Sequence, residues 1–335
     1  VSRPTNQCWQ RIARSGKIRY HQLSIARSLH RQTFYGVSIF ISGTENPMTA
    51  AAIELVGQRI GPVPPGLLVG TEWLEGHLHD PRLAVVDLRD PEAYAAGHVP
   101  GAVRLGLQDV GSNVDGCDNV LLPPSDFEGL MAQLGISNEH SVVAYDDHWG
   151  LPSARLVWAM HHYGGGPASV LNGGWDRWLE EGRTMTSTPG SAGSSPDRAN
   201  RFEARPRPEF AADYEWITGG PTHDGLVLLD TRSSSEFDQG HLPGAISWDW
   251  FNAVPVGSWE CSRDPGELRA EMAALGVSPS DEIVTYCRSG MRAAHTFVVL
   301  QNAGFPRVRL YDGSWQEWSQ RVTHERITHD EEAKG

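Results

Sequence analysis

Glu282-Ile283-Val284-Thr285-Tyr286-Cys287-Arg288-Ser289-Gly290-Met291-Arg292-Ala293-Ala294-His295 is the stretch from which the rest of the chain can be read. Its opening five residues are a short β-branched and aromatic run, which predicts a buried strand. From Ala293 to Asn302 the residues are apolar or good helix formers and the run stops at Gly304, which predicts a helix. Between strand and helix, a cysteine opens a tight loop holding Gly290 and two arginines. A strand–loop–helix turn of this kind points backbone N–H groups inward and sets a helix N-terminus beneath the cysteine, forming an anion cradle. A cysteine in that field, beside Arg288 and Arg292, should ionise easily and act as a thiolate nucleophile. The plainer alternative is a small buried hydrophobe at a strand end.

Moving outward, the strand and turn motifs recur. Val85-Val86-Asp87-Leu88-Arg89 matches Leu228-Leu229-Asp230-Thr231-Arg232, and Gly97-His98-Val99-Pro100-Gly101-Ala102 matches Gly240-His241-Leu242-Pro243-Gly244-Ala245. Asn172-Gly173-Gly174-Trp175 likewise answers Asp312-Gly313-Ser314-Trp315. A repeat this long means duplicated globular domains rather than a solenoid. Each copy alternates short strands with helical stretches, so the expected class is α/β, with each domain a parallel sheet flanked by helices. The expected boundaries are 60–183 for the first domain, 184–207 for a Ser-, Gly- and Pro-rich linker, and 208–325 for the second. Val142-Val143-Ala144-Tyr145 matches the strand before Cys287, but Asp146 stands where the cysteine would be, in an acidic loop one residue longer. The first copy therefore reads as silent and the second as catalytic.

Residues 1–47 differ from all that follows, with seven basic side chains against Glu45 alone. The formal net charge of −13 thus becomes −19 once the +6 of this segment is set aside. Such an excess of acid argues against nucleic acid or an anionic membrane as partner. An Arg-rich, acid-poor leader is the composition of a mitochondrial transit peptide. Because the segment opens on Val1 and lacks clear helical amphipathicity, upstream sequence read ahead of a start at Met48 is the favoured reading. Either way it is expected to be disordered or not native to the protein. Cys8, Cys117, Cys261 and Cys287 follow no disulfide or zinc spacing, so a reducing, cytoplasmic setting is expected and no metal. Cys117 and Cys261 read as structural, and Trp248 and Trp250 as core or cleft wall.

Together these features resemble the tandem-domain rhodaneses, the thiosulfate and 3-mercaptopyruvate sulfurtransferases, over about Gly66 to Ser319. The motifs that carry it are the Asp-x-Arg strand end, the Gly-His-x-Pro-Gly-Ala turn in both copies, the Cys-x-x-Gly-x-Arg loop, the silent Asp146 and the Gly-Gly-Trp segment. The resemblance implies a sulfurtransferase that carries sulfur from a small anionic donor to cyanide or a thiol through a Cys287 persulfide, by ping-pong kinetics and with no cofactor. Arg288 and Arg292 would lower the Cys287 pKa and bind the donor, with Ser289, Gly290 and Met291 completing the loop. Asp230, Arg232, Glu236 and His241 would brace it. From the first domain, Arg177 or Arg183, with His98 and Asp87, would close the donor site.

Thiosulfate is the favoured donor, since two arginines suit a doubly charged anion; Ser289 and Gly290 fit the 3-mercaptopyruvate pattern. A thiol-carrier protein is a further candidate acceptor, and a non-catalytic binding or regulatory module or a persulfide carrier that hands its sulfur to a protein partner are the alternative classes. A Cdc25-like phosphatase on the same fold needs its arginine six positions after the cysteine, whereas Arg292 is the fifth.

Overall fold

The computed structural model describes residues 32–34, 37–39, 61–190, 201–219 and 225–322. Residues 1–43 are a unit of their own, in which β1 (Gln32–Phe34) pairs antiparallel with β2 (Val37–Ile39). Apart from those strands, the expectation for residues 1–47 lies outside the described residues.

Residues 44–335 hold two sheets of the same design. The first half runs β3 (Leu68–Val69), α1 (Thr71–His77), β4 (Leu83–Asp87), α2 (Pro91–Ala96), β5 (Val103–Arg104), β6 (Gly111–Val114), β7 (Cys117–Leu121), α3 (Pro124–Gln133), β8 (Ser141–Tyr145), α4 (Leu151–His162), β9 (Ala168–Leu171) and α5 (Gly174–Glu180). The second runs β10 (Ala211–Ala212), α6 (Tyr214–Gly219), β11 (Leu226–Asp230), α7 (Ser234–Asp238), β12 (Ile246–Ser247), α8 (Pro265–Ala274), β13 (Glu282–Tyr286), α9 (Met291–Asn302), β14 (Val308–Tyr311) and α10 (314–322). The sheet orders β3-β9-β8-β4-β5 and β10-β14-β13-β11-β12 are superimposable, and every pair within them is parallel. The duplicated α/β design expected from the repeat is the fold. In each sheet the progress of the chain reverses between the two central strands, the place where parallel α/β sheets open a crevice.

One departure from pure α/β alternation matters for the site. The first half carries an antiparallel hairpin, β6–β7, turning on Asp115 and Gly116, both in the left-handed region with φ of 51° and 81°. Asp-Gly is a strong signal for such a turn, because its twist matches that of the flanking strands.

The halves are welded by two helices. Residues Pro152–Met160 of α4 and Ala293–Leu300 of α9 are buried without a break, as expected of helices covered on all sides. Each packs its own sheet on one side and the other helix on the opposite side, so one apolar cluster runs through both halves.

The stretch read as a linker is fastened where it is described. Arg205 and Arg207 donate backbone N–H groups to the carbonyls of Tyr163 and His162, and Phe202 is buried edge-on against Phe127. Its composition hid that single aromatic anchor.

Candidate active site

Below the cysteine lies a buried polar brace. Asp230, at the end of β11, accepts from Arg232 at 2.9 and 2.6 Å, and Arg232 Nη2 reaches on to the Gly240 carbonyl at 2.7 Å. The Tyr286 hydroxyl bonds Asp230 and accepts the Leu242 N–H at 3.1 Å; burial first, and then the Asp230 charge, push its pKa up. The guanidinium of Arg232 lies over the Trp315 ring. The first half repeats every part with Asp87, Arg89, Tyr145, Val99 and Trp175. The Asp-x-Arg strand ends thus fix two neighbouring strands and the Gly-His-x-Pro-Gly turn, and none of these groups reaches the sulfur.

Cys287 follows β13 directly, and Gly290, with φ of 84°, caps α9 in a conformation that favours glycine. The loop carbonyls are tied outward. Those of Cys287 and Arg288 accept from the N–H groups of Trp315 and Gln316 at 3.0 and 3.1 Å, and that of Ser289 accepts from Asn119 Nδ2 at 3.0 Å. The Cys287 N–H itself donates to Ser314 Oγ at 3.2 Å. With its carbonyls turned away, the loop sets the cysteine before the N-terminus of α9, the positive end of the helix dipole. The cysteine is 1% exposed, and next to it opens a cleft of about 460 Å³. Ser289 and Met291 form one wall of that cleft; Asn113, Asp118 and Asn119 of the hairpin form the other.

The two loop arginines part company. Arg292 gives both terminal nitrogens to Glu236, at 2.6 and 2.8 Å, and its other partner is the Cys287 side chain. Burial pulls its pKa down, but Glu236 and Cys287 outweigh that and leave it raised. Arg292, expected to bind the donor, has Glu236 and the Cys287 side chain as its partners here. Glu236 also closes the capping box of α7 by accepting the Ser233 N–H, and these bonds, Arg292's first, pull its pKa down to about 2. A depressed carboxyl stabilises the fold above its ordinary value of 4.5 and loses that contribution as pH falls toward about 2. Glu236→Gln should accordingly melt below the wild type at pH 7, and the gap should close between pH 4.5 and 2 in parallel thermal melts. Arg288, by contrast, is exposed, makes no ion pair among the described residues, and faces the Asp118 carboxylate.

The silent loop shows what its twin is shaped to hold. Asp146 is buried, and its carboxylate accepts the N–H groups of His148 (2.7 Å), Gly150 (3.0 Å) and Ser153 (3.0 Å) and the Ser153 hydroxyl (2.5 Å). Burial pushes its pKa up, and these four donors oppose it. Gly150, with φ of 80°, matches Gly290, and Trp149 is the extra residue, itself at φ of 53°. The acidic loop does more than repel an anion: its own carboxylate fills the cradle.

Other candidates sit elsewhere. His98 is fully buried with its ring nitrogens on the carbonyls of Tyr94 and Thr188, so it has no face to offer a donor. Arg177 pairs with Glu181 and Glu260, and Arg183 with Glu75 and Glu181; neither lines the cleft. His241 is exposed and stacked on Phe237. What the sequence reading missed is the hairpin with Asn119, for which Asp115-Gly116 was the available signal, and the interdomain pair Arg155–Asp312. Among the described residues no group of three His, Cys, Asp or Glu side chains is placed to hold a metal ion, and no helix is long and apolar enough to cross a membrane.

Two parallel α/β halves with a cysteine loop at the crevice of the second define a class, and comparison with known proteins agrees. The profile of the rhodanese-like domain matches twice, over residues 70–181 and 214–321, and the chain belongs to that family. It is 34% identical over 285 residues to the sulfur carrier protein TtuD of Thermus thermophilus, spanning 77% of this chain and 95% of the relative. It is also 34% identical over 280 residues to a thiosulfate sulfurtransferase of Corynebacterium glutamicum, spanning 77% and 89%. Among solved structures, the 3-mercaptopyruvate sulfotransferase SseA of Escherichia coli superposes with a TM-score of 0.65 at 26% identity, over 75% of this chain and 99% of that one.

Proposed function

We propose that the protein is a sulfurtransferase that moves a sulfane sulfur from a small anionic donor to a thiophilic acceptor through a persulfide on Cys287. The observation that carries this reading is the Asp146 carboxylate, held by three backbone N–H groups and a hydroxyl in the loop equivalent to that of Cys287. A loop that turns three N–H groups and a hydroxyl onto a buried carboxyl group in one half is suited to cradle thiolate and persulfide in the other. The Cys287 thiolate attacks the outer sulfur of thiosulfate, the S–S bond breaks, and its electron pair leaves with sulfite. With 3-mercaptopyruvate the C–S bond breaks instead, and the electron pair and a proton go to pyruvate. Cyanide or a thiolate then takes the outer sulfur and restores the cysteine.

Two arginines at the loop favour thiosulfate, but Arg292 pairs with Glu236. A single uncommitted guanidinium, Arg288, serves the carboxylate of 3-mercaptopyruvate equally well, so that donor is the second reading. The name of the Thermus relative, a sulfur carrier protein, supports the further reading that the chain itself carries sulfur as a Cys287 persulfide to a protein partner. Intact mass after brief exposure to each donor tests the proposal: one added sulfur, released by cyanide, is expected, and the faster donor sets the substrate. No uptake from either donor would sink it. Arg288→Ala is expected to raise the donor KM about fivefold to tenfold at low salt and less at high salt, as for a screened, exposed charge; steady-state assays at two ionic strengths check this.

A further inference from the structure

We infer that Arg155, from the silent half, is a positioning residue for the Cys287 loop. It rests on the persulfide reading of Cys287 above. Arg155 is the fifth residue of α4 and its side chain is 0% exposed. Nη1 lies 2.6 Å from Asp312 Oδ1 of the second half, and Nη2 donates to the Asn119 carbonyl at 2.6 Å. Its guanidinium lies 4.7 Å from the centre of the Trp158 ring. Asp312 in turn accepts the Leu121 N–H at 2.8 Å, and Asn119 holds the Ser289 carbonyl at 3.0 Å. One buried fork therefore joins the hairpin, the turn after β14 and the catalytic loop. It lies directly under the cap of α9: a Cβ built on Gly290 would stand 3.0 Å from both Arg155 Nη1 and Asp312 Oδ1.

The duplication supplies an internal control. His295 is the fifth residue of α9, and Asn172 stands where Asp312 does. His295 is buried and gives Nε2 to the Cys261 carbonyl at 2.9 Å, and Asn172 Oδ1 accepts the Cys261 N–H at 2.9 Å. Burial pushes the histidine pKa down to about 4, so it is neutral. The equivalent positions beside the silent loop are thus two uncharged side chains that each bond the Cys261 backbone, and those beside the cysteine form an ion pair. Asp312 is 19% exposed but Arg155 is wholly buried, and burying a charge is costly and often no more stabilising than a neutral packing of the same volume. A neutral solution exists in the same chain, so the charged one is there for the loop: Nη2 holds the Asn119 carbonyl by a hydrogen bond, while Nη1 and Asp312 Oδ1 meet as a close ion pair without hydrogen-bond geometry, directly against Gly290 at the start of α9.

The test transplants the neutral pair. Arg155→His/Asp312→Asn should remain folded, with its melting temperature close to that of the wild type, yet load sulfur about tenfold to a hundredfold more slowly in single turnover, the scale of a displaced reacting group. The donor KM should stay unchanged, since Arg155 does not line the cleft. Iodoacetamide alkylation of Cys287 should shift as well, a readout independent of sulfur transfer. Should the wild type take up no sulfur, the persulfide reading fails while the alkylation arm still judges the positioning role. Arg155→Lys keeps the charge without the fork and should lose loading rate severalfold; it decides the matter if the double variant does not fold. Wild-type loading and alkylation rates in either folded variant would overturn the inference.

Discussion

Cys287→Ser is expected to abolish sulfur uptake and turnover while leaving the fold intact. The bonds that hold this residue, from its N–H to Ser314 and to its carbonyl from Trp315, are made by backbone and survive the change. Serine is the smaller of the two, so stability should stay within about 1 kcal/mol, in the range of small volume losses in a core. The chemistry does not survive. A hydroxyl in this cradle stays protonated at neutral pH, and oxygen cannot form the persulfide. Loss of a covalent nucleophile costs about a millionfold where it has been measured in other enzymes. No other described thiol is placed to substitute: burial pushes both Cys117 and Cys261 up, away from the thiolate. Intact mass with thiosulfate and with 3-mercaptopyruvate reads the outcome, and a persisting gain of sulfur in the variant would move the reaction to another residue.

The second large effect is on stability. Asp230→Ala leaves the Arg232 guanidinium, 2% exposed, without its carboxylate, and takes a partner from the Tyr286 hydroxyl. Breaking a buried pair from one side costs about 3–5 kcal/mol. Because Asp87, Arg89 and Tyr145 form the same brace, Asp87→Ala should destabilise to a similar extent. The two variants should differ in activity. The strand that Asp230 braces through Tyr286 runs into Cys287, whereas the strand that Asp87 braces through Tyr145 runs into Asp146, so only Asp230→Ala should slow sulfur loading per folded molecule. Calorimetry together with single-turnover loading checks both halves of that statement. Equal activity losses in the two variants would show that the halves respond as one block.

How much of this was legible before the structure depended on the distance over which each signal acts. The strand–cysteine–glycine–helix turn and the paired Asp-x-Arg strand ends are local, so Cys287, Gly290, Asp230 and Arg232 could be read from spacing, and the repeat gave the two-sheet plan. Arg292 was identified as charged and near the cysteine, but a sequence does not show that Glu236 occupies both its nitrogens. His98 and His241 resemble catalytic histidines in a motif, whereas in three dimensions one is sealed between two carbonyls and the other rests on a phenyl ring. Arg155 and Asp312 belong to different domains and carry no local pattern, so their pairing emerges only from the packing of α4 on α9.

The hairpin that lies against the Cys287 loop belongs to the first half, and this has a consequence for how the molecule is made. A ribosome delivers the N-terminal half first, and domains fold largely as they emerge. The hairpin and Arg155 are therefore made before the cysteine, whereas Asp312, the other end of the ion pair, follows it in the chain. The reciprocal cover, residues 258–262 beside the Asp146 loop, arrives late, but that loop already carries its own buried anion and has nothing to protect. With this order of halves, a newborn thiol meets a finished wall and spends little time open to oxidants that would carry it past sulfenic acid. The opposite order would leave the cysteine waiting for its cover.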